Sequence, residues 1–192
     1  MRPYIYSVCD TGYRDRYANS FLNSARANGH QAEVFCTEKP AVRLVDKVRL
    51  CAWRFELLPQ LLREHGAVLM LDIDSVVQQP LEIGDEYDLG IFLRPEQAKD
   101  RFKTLCSIFY CTDRAMDFAE EIIAGGTHNI LWCDDQGVVW RAYEKLGHRY
   151  KVKRFDEGFI SWRNADANVF TGKGLVKAGR AFNRLVGEWA AV

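Results

Sequence analysis

No stretch of this sequence stays apolar long enough to cross a membrane, and Met1-Arg2-Pro3-Tyr4 opens into a strand-like segment without a signal-peptide core. An excess of charge is also lacking. Lys plus Arg total 26 and Asp plus Glu total 26, which argues against a broad surface for nucleic acid but leaves room for a local basic pocket. The six cysteines, Cys9, Cys36, Cys51, Cys106, Cys111 and Cys133, form no CxxC pair and no metal-finger spacing. Most sit in apolar company and read as small buried hydrophobes of a reducing compartment, so a cytoplasmic location is expected. Repeats, low-complexity tracts and a clear linker are missing too. What remains is an ordinary globular composition, 48% hydrophobic and 27% charged, over 192 residues. One domain spanning 1–192 is the expectation.

Taken in order, Tyr4 to Cys9 is a β-branched and aromatic run that reads as a first strand, ending at the turn Asp10-Thr11-Gly12. Tyr17, Ala18, Phe21, Leu22 and Ala25 then fall at helical spacing, with Asn28-Gly29 as the stop. Ala32 to Cys36 completes a β-α-β opening. Val48, Cys51, Phe55, Leu58 and Leu62 carry a helical stripe, interrupted or kinked at Pro59 and closed by His65-Gly66. Val68 to Leu71 is the central strand, Asp88 to Leu93 another, and Arg94 to Arg101 a mobile polar loop. Leu105 to Cys111 reads as a further buried strand, after which Thr112 can cap a helix ending at Gly125-Gly126. Asp134 or Asp135 can cap a helix stopped by Gly147. Tyr150 to Phe155 and Gly158 to Trp162 look like short strands, Asn168 to Gly174 like a glycine-bearing loop, and Ala178 to Trp189 like a last amphipathic helix. Strands alternating with helices predict an α/β domain with a mainly parallel central sheet flanked by helices.

The stretch Val68-Leu69-Met70-Leu71-Asp72-Ile73-Asp74 stands out. Four apolar residues running into two carboxylates suggest a buried parallel strand whose carboxyl end opens onto a site. If the backbone stays extended, Asp72 and Asp74 share one side of it. Two like charges that close call for a cation, and a divalent ion such as Mn2+ or Mg2+ suits carboxylate oxygen. The plainer reading is an exposed turn after a strand.

Together these pieces resemble the GT-A glycosyltransferases, Rossmann-like in fold, and in particular the family 8 group that includes glycogenin and bacterial galactosyltransferases. Cys9-Asp10-Thr11-Gly12-Tyr13 resembles the strand-end Asp and Tyr that receive a uracil ring; the plainer reading is a helix-capping Asp10 and a core Tyr13. Arg54 is similar to the family's Arg near the sugar and diphosphate, with Lys47 and Arg49 as competing candidates. Leu71-Asp72-Ile73-Asp74 resembles the DxD motif whose carboxylates hold Mn2+ against the diphosphate. Asp134-Asp135-Gln136 resembles the Asp-Gln pair beside the transferring sugar, which makes Asp135 and Gln136 the implied catalytic residues. The resemblance implies a metal-dependent hexosyltransferase that uses a nucleotide-diphosphate sugar, UDP-linked, with a sugar, lipid or protein acceptor and retention of configuration.

The family closes its site with His-x-x-Gly-x-x-Lys, the His being a third metal ligand. Here Val169-Phe170-Thr171-Gly172-Lys173-Gly174 places Val169 at the His position. The alternative register places Thr171 there, with Gly174 and Lys177 following. Lys173 or Lys177 is then the implied phosphate contact, and the His is missing in both registers. Two rival readings remain. Hydrophobic-strand-DxD also opens haloacid-dehalogenase-type phosphatases, with Asp72 as nucleophile, Asp74 as acid/base and Ser107 as their strand-end Ser, although a whole β-α-β unit precedes it here. A non-catalytic nucleotide-sugar-binding protein is the other.

Overall fold

The computed structural model describes residues 2–126, 134–172 and 177–192. The chain opens with β1 (Tyr4–Cys9), α1 (Thr11–Ala27) and β2 (Ala32–Cys36), as the alternating apolar pattern predicts. Two helices follow, α2 (Leu44–Glu56) and α3 (Leu58–His65). The break falls at Leu57 because Pro59 lacks an N–H and fits the first turn of a new helix rather than the interior of an old one. Gly66 then takes φ +72, a left-handed conformation that suits glycine, and turns the chain into β3 (Ala67–Leu71).

After β3 come β4 (Ser75–Val77), β5 (Leu89–Leu93) and β6 (Thr104–Thr112), then α4 (Met116–Ala124) and α5 (Asp134–Leu146). The short strands β7 (Val152–Arg154), β8 (Ile160–Ser161) and β9 (Val169–Thr171) precede α6 (Arg180–Ala190). The six-stranded sheet has the order β2-β1-β3-β6-β5-β7. β1 pairs in parallel with both β2 and β3, and β5 with β7, whereas β6 runs antiparallel to β3 and to β5. The sheet is therefore mostly parallel with one reversed strand.

Strand side chains alternate between its two faces. Ile5, Leu69, Leu71, Ile108 and Tyr110 join Tyr17 and Phe21 of α1 and Phe182 of α6 in one core. Tyr6, Val68, Met70, Phe109 and Cys111 join Phe55 of α2, Leu58 and Leu62 of α3, Phe118 of α4 and Val138 of α5 in the other. All five residues of β3 are buried, since helices cover both faces of this part of the sheet.

Four sequence expectations change. Asp72-Ile73-Asp74 is a turn rather than an extension of the strand. Beyond Leu71 the chain leaves the large sheet, and β4 joins a separate sheet of order β4-β9-β8. The glycine-bearing loop begins as a strand for the same reason: Val169 to Thr171 pair antiparallel with Ser75 to Val77. Thr112 does not cap with its side chain; its hydroxyl donates to the Asp88 carbonyl at 3.3 Å, bracing β6 against β5. The segment 94–101 is not wholly irregular, since a 3-10 turn forms at Asp100–Phe102.

Candidate functional site

The parallel strands β1, β3 and β5 end together at Cys9, Leu71 and Leu93, and the described residues among those the sequence predicts gather along that carboxyl edge. In α/β sheets this edge is where ligands bind. Asp10 follows β1 immediately. One of its carboxylate oxygens accepts from the Tyr13 N–H at 2.9 Å and the other from the Ala41 N–H at 3.0 Å. Asp10 is thus the N-cap of α1 and also the anchor for the segment leading to α2. Tyr13, in the first turn of α1, is 42% exposed, so it lines the rim and is not the core residue of the plainer reading.

Arg54 sits near the end of α2, where its backbone carbonyl accepts from the buried Tyr6 hydroxyl at 2.7 Å. From there its guanidinium donates to Asp72 at 2.9 Å and, through a second nitrogen, to Asp135 in the first turn of α5. One planar fork thereby links the end of β3 to the start of α5. Burial opposes the positive charge, but Asp135 foremost, then Cys51 and Asp72, hold the group well above its ordinary range. Lys47 and Arg49, the competing candidates, are exposed on the same helix, whereas Arg54 pairs with both Asp72 and Asp135.

Asp135 is buried and lies within α5, so the capping role expected of it is not the one it plays. Asp134, its neighbour, faces Arg141 at 4.0 Å. Gln136 is held at both ends: its side-chain oxygen accepts from Arg94 at 3.0 Å, and its carbonyl accepts from the Thr104 hydroxyl at 2.7 Å. Arg94 also donates to the Thr104 carbonyl at 2.6 Å. Below them, burial foremost and Asp135 next push the Cys106 thiol upward, so it is a protonated neighbour and not a nucleophile.

Asp74 turns inward and is 5% exposed. Its carboxylate pairs with the Lys177 ammonium, while its carbonyl accepts from the Gly172 N–H at 2.7 Å. Burial, and then the nearby Asp72, push its acid up to about 6 even with Lys177 opposing. Lys177 also donates to the Tyr13 hydroxyl at 3.2 Å and lies 4.9 Å from that ring's centroid. Lys173 lies outside the described residues. Val169 is fully buried in the core between Val77 and Ile160, so it does not face the carboxylates. Thr171 lies opposite Ser75, with its hydroxyl 3.1 Å from the Ser75 hydroxyl and 3.4 Å from the backbone carbonyl of Asp74. Of the two lysines, Lys177 is the described one, and it pairs with Asp74.

Among the described residues no group of three His, Cys, Asp or Glu converges as a ready-made metal site. The two carboxylates still fit a divalent ion of the kind that takes one or two protein carboxylates and completes its shell from substrate phosphate. A cation already stands there, since the Lys177 ammonium occupies Asp74.

Arg94, Thr104 and Ser75 are the members the sequence reading missed. None carries a local signal, because their side-chain partners Gln136 and Thr171 lie 32 to 96 residues away. Ser107, weighed as a phosphatase strand-end Ser, contributes its carbonyl instead, accepting from the Asp72 N–H at 3.0 Å.

No family model matches this sequence, and no curated protein does. The fold is nonetheless one that glycosyltransferases adopt. The chain superposes on a glycosyltransferase involved in the glycosylation of the major capsid of PBCV-1 with a TM-score of 0.63 and 13% identity, over 90% of this chain and 96% of that one. The glycosyltransferase GlyE of Streptococcus pneumoniae TIGR4 matches with a TM-score of 0.64 and 10% identity, over 99% of this chain and 61% of that one. The apo bifunctional glycosyltransferase WbbM gives 0.57 and 10%, over 82% and 39%. This chain thus spans nearly all of the first and less than two thirds of the other two.

Proposed function

We propose that this chain transfers a sugar from a nucleotide-diphosphate donor, UDP-linked, to a sugar, lipid or protein acceptor. The observation that carries the reading is the Arg54 fork, which draws Asp72 and Asp135 together at the carboxyl edge of a glycosyltransferase-type sheet. In this reading the exposed face of Tyr13 stacks on the base, and Asp10 keeps the turn beneath it in place. Lys177 and Arg54 supply positive charge to the diphosphate. A divalent ion held by Asp72 and Asp74, Mn2+ or Mg2+, would neutralise the leaving diphosphate.

Asp135, fixed by Arg54, stabilises positive charge developing at the anomeric carbon. Gln136 has its side-chain oxygen committed to Arg94, which leaves its amide N–H groups to donate to sugar hydroxyls. Following the family 8 resemblance, transfer proceeds with retention, and no strong general base is needed because the leaving group assists.

A thermal-shift panel of UDP-, GDP- and CMP-sugars with and without Mn2+ tests this, since a ligand that binds only the folded state raises its stability. UDP-sugar with Mn2+ should give the largest rise. No rise with any donor overturns the reading. The lack of a histidine where the family carries a metal ligand, with Val169 or Thr171 standing there according to register, favours one second reading, a nucleotide-sugar binder without turnover. Donor binding with no hydrolysis or transfer would select it.

A further inference from the structure

Three carboxylates, Asp72, Asp74 and Asp135, meet two protein cations, Arg54 and Lys177, along the carboxyl edge. Arg54 is mostly buried and divided between two acids, so it is fixed. Lys177 is different. Its side chain is 29% exposed and stands at the rim against Tyr13, and its partner Asp74 is almost wholly buried. A metal ion seeking Asp74 meets the Lys177 ammonium already there, and two cations cannot share one buried carboxylate without strong repulsion. A diphosphate arriving alone meets acids that outnumber the cations by one. Each ligand is therefore disfavoured by itself, and their joint arrival resolves both problems. Asp74 would then be free to hold the ion, and the released ammonium would meet phosphate oxygen at the same rim.

We propose that Lys177 is a displaceable counter-ion, which keeps a divalent cation out of the empty site and yields Asp74 only when a diphosphate is present to receive its ammonium. The inference rests on the nucleotide-diphosphate reading of the site and adds to it an order of events. Binding is ion and diphosphate together, with little ion bound beforehand. Because coupling between two ligands is reciprocal, UDP tightens Mn2+ by the factor with which Mn2+ tightens UDP.

The experiment titrates Mn2+ by electron paramagnetic resonance, with and without UDP, into wild type, Lys177→Met and Lys177→Arg. Without nucleotide, Lys177→Met should bind Mn2+ at least about tenfold tighter than wild type, and its UDP-induced tightening should shrink by a similar factor. Lys177→Arg, which keeps the charge, should stay close to wild type. A folded Lys177→Met that binds nucleotide-free Mn2+ no tighter than wild type overturns the proposal. Wild type alone also decides, whatever the variants' folding: equal Mn2+ affinity with and without bound UDP overturns it. If UDP binds under no condition, the donor reading fails, and the nucleotide-free comparison still tells whether Lys177 excludes the ion.

Discussion

Arg54 donates to Asp135 across 81 positions of sequence, and this contact joins the end of α2 to the start of α5 at the edge of the sheet. Asp135 is 6% exposed and the Arg54 side chain 12%. The pair is buried enough that removing one partner strands the other.

Arg54→Ala should therefore cost about 3–5 kcal/mol, the usual consequence of leaving a buried charge uncompensated. Arg54→Lys should recover less than half, because an ammonium cannot reproduce a planar fork between Asp72 and Asp135. Urea denaturation of the three proteins measures this. A loss for Arg54→Ala below about 1 kcal/mol, the range of an exposed pair, contradicts it.

Asp135→Asn should impair turnover far more than donor binding. In the proposed mechanism Asp135 faces charge that develops only in the transition state, so turnover should fall about a hundredfold or more. The dissociation constant for UDP should stay near that of wild type, as measured by calorimetry. Unchanged hydrolysis and transfer rates would reduce Asp135 to a structural partner of Arg54.

Gly90, in the middle of β5, lies under the ring of Phe155. A β-carbon there would come within 2.5 Å of the ring and 2.8 Å of the Tyr110 β-carbon. Gly90→Ala should destabilise the protein by about 1–3 kcal/mol, as overpacking does. Combining it with Phe155→Leu should recover part of that loss, and a double-mutant cycle reads the coupling. Simple additivity of the two changes would show that the ring moves aside freely.

Tyr150 donates to Asp117, which Arg149 also meets at 2.7 Å. The Tyr150 hydrogen bond foremost holds the Asp117 acid below its ordinary range, against the opposing effect of burial. A depressed acid contributes stability that is present above its unfolded value and is lost as pH falls through the folded one. Tyr150→Phe should lower the urea midpoint at pH 7, with a gap to wild type that narrows as the solution is acidified below about pH 4. A gap that stays constant down to pH 2 would assign the effect to packing of the ring.

Much of this was legible in the residues themselves. The runs Tyr4 to Cys9 and Val68 to Leu71 announce buried strands, and Pro59 and Gly66 mark real boundaries. Composition could not show that β6 runs backwards, because a strand covered on both faces looks alike in either direction. The turn at Asp72-Ile73-Asp74 was hidden for a related reason. Val76 and Val77 continue the apolar run, and only pairing with Val169 and Phe170 reveals that they belong to a second sheet. Arg94 looked like loop polarity, since its partner Gln136 lies 42 positions on. Arg54 is one of three basic residues on one helix, and only the fold reveals that its guanidinium meets Asp72 and Asp135.

The pairing of Ser75 with Thr171, 96 positions apart, bears on how the protein comes into being. During synthesis β1, α1, β2 and β3 emerge from the ribosome early, with mostly near neighbours to find. The residues that secure Asp74, namely Gly172 and Lys177, emerge about a hundred residues later. Over that stretch of translation the nascent chain thus carries Asp74 at the mouth of a buried strand with neither its strand partner nor its counter-charge. The sheet can assemble first and the site ripens last. A polypeptide halted before Val169 would leave β4 without a partner strand, an open edge of the kind that invites aggregation.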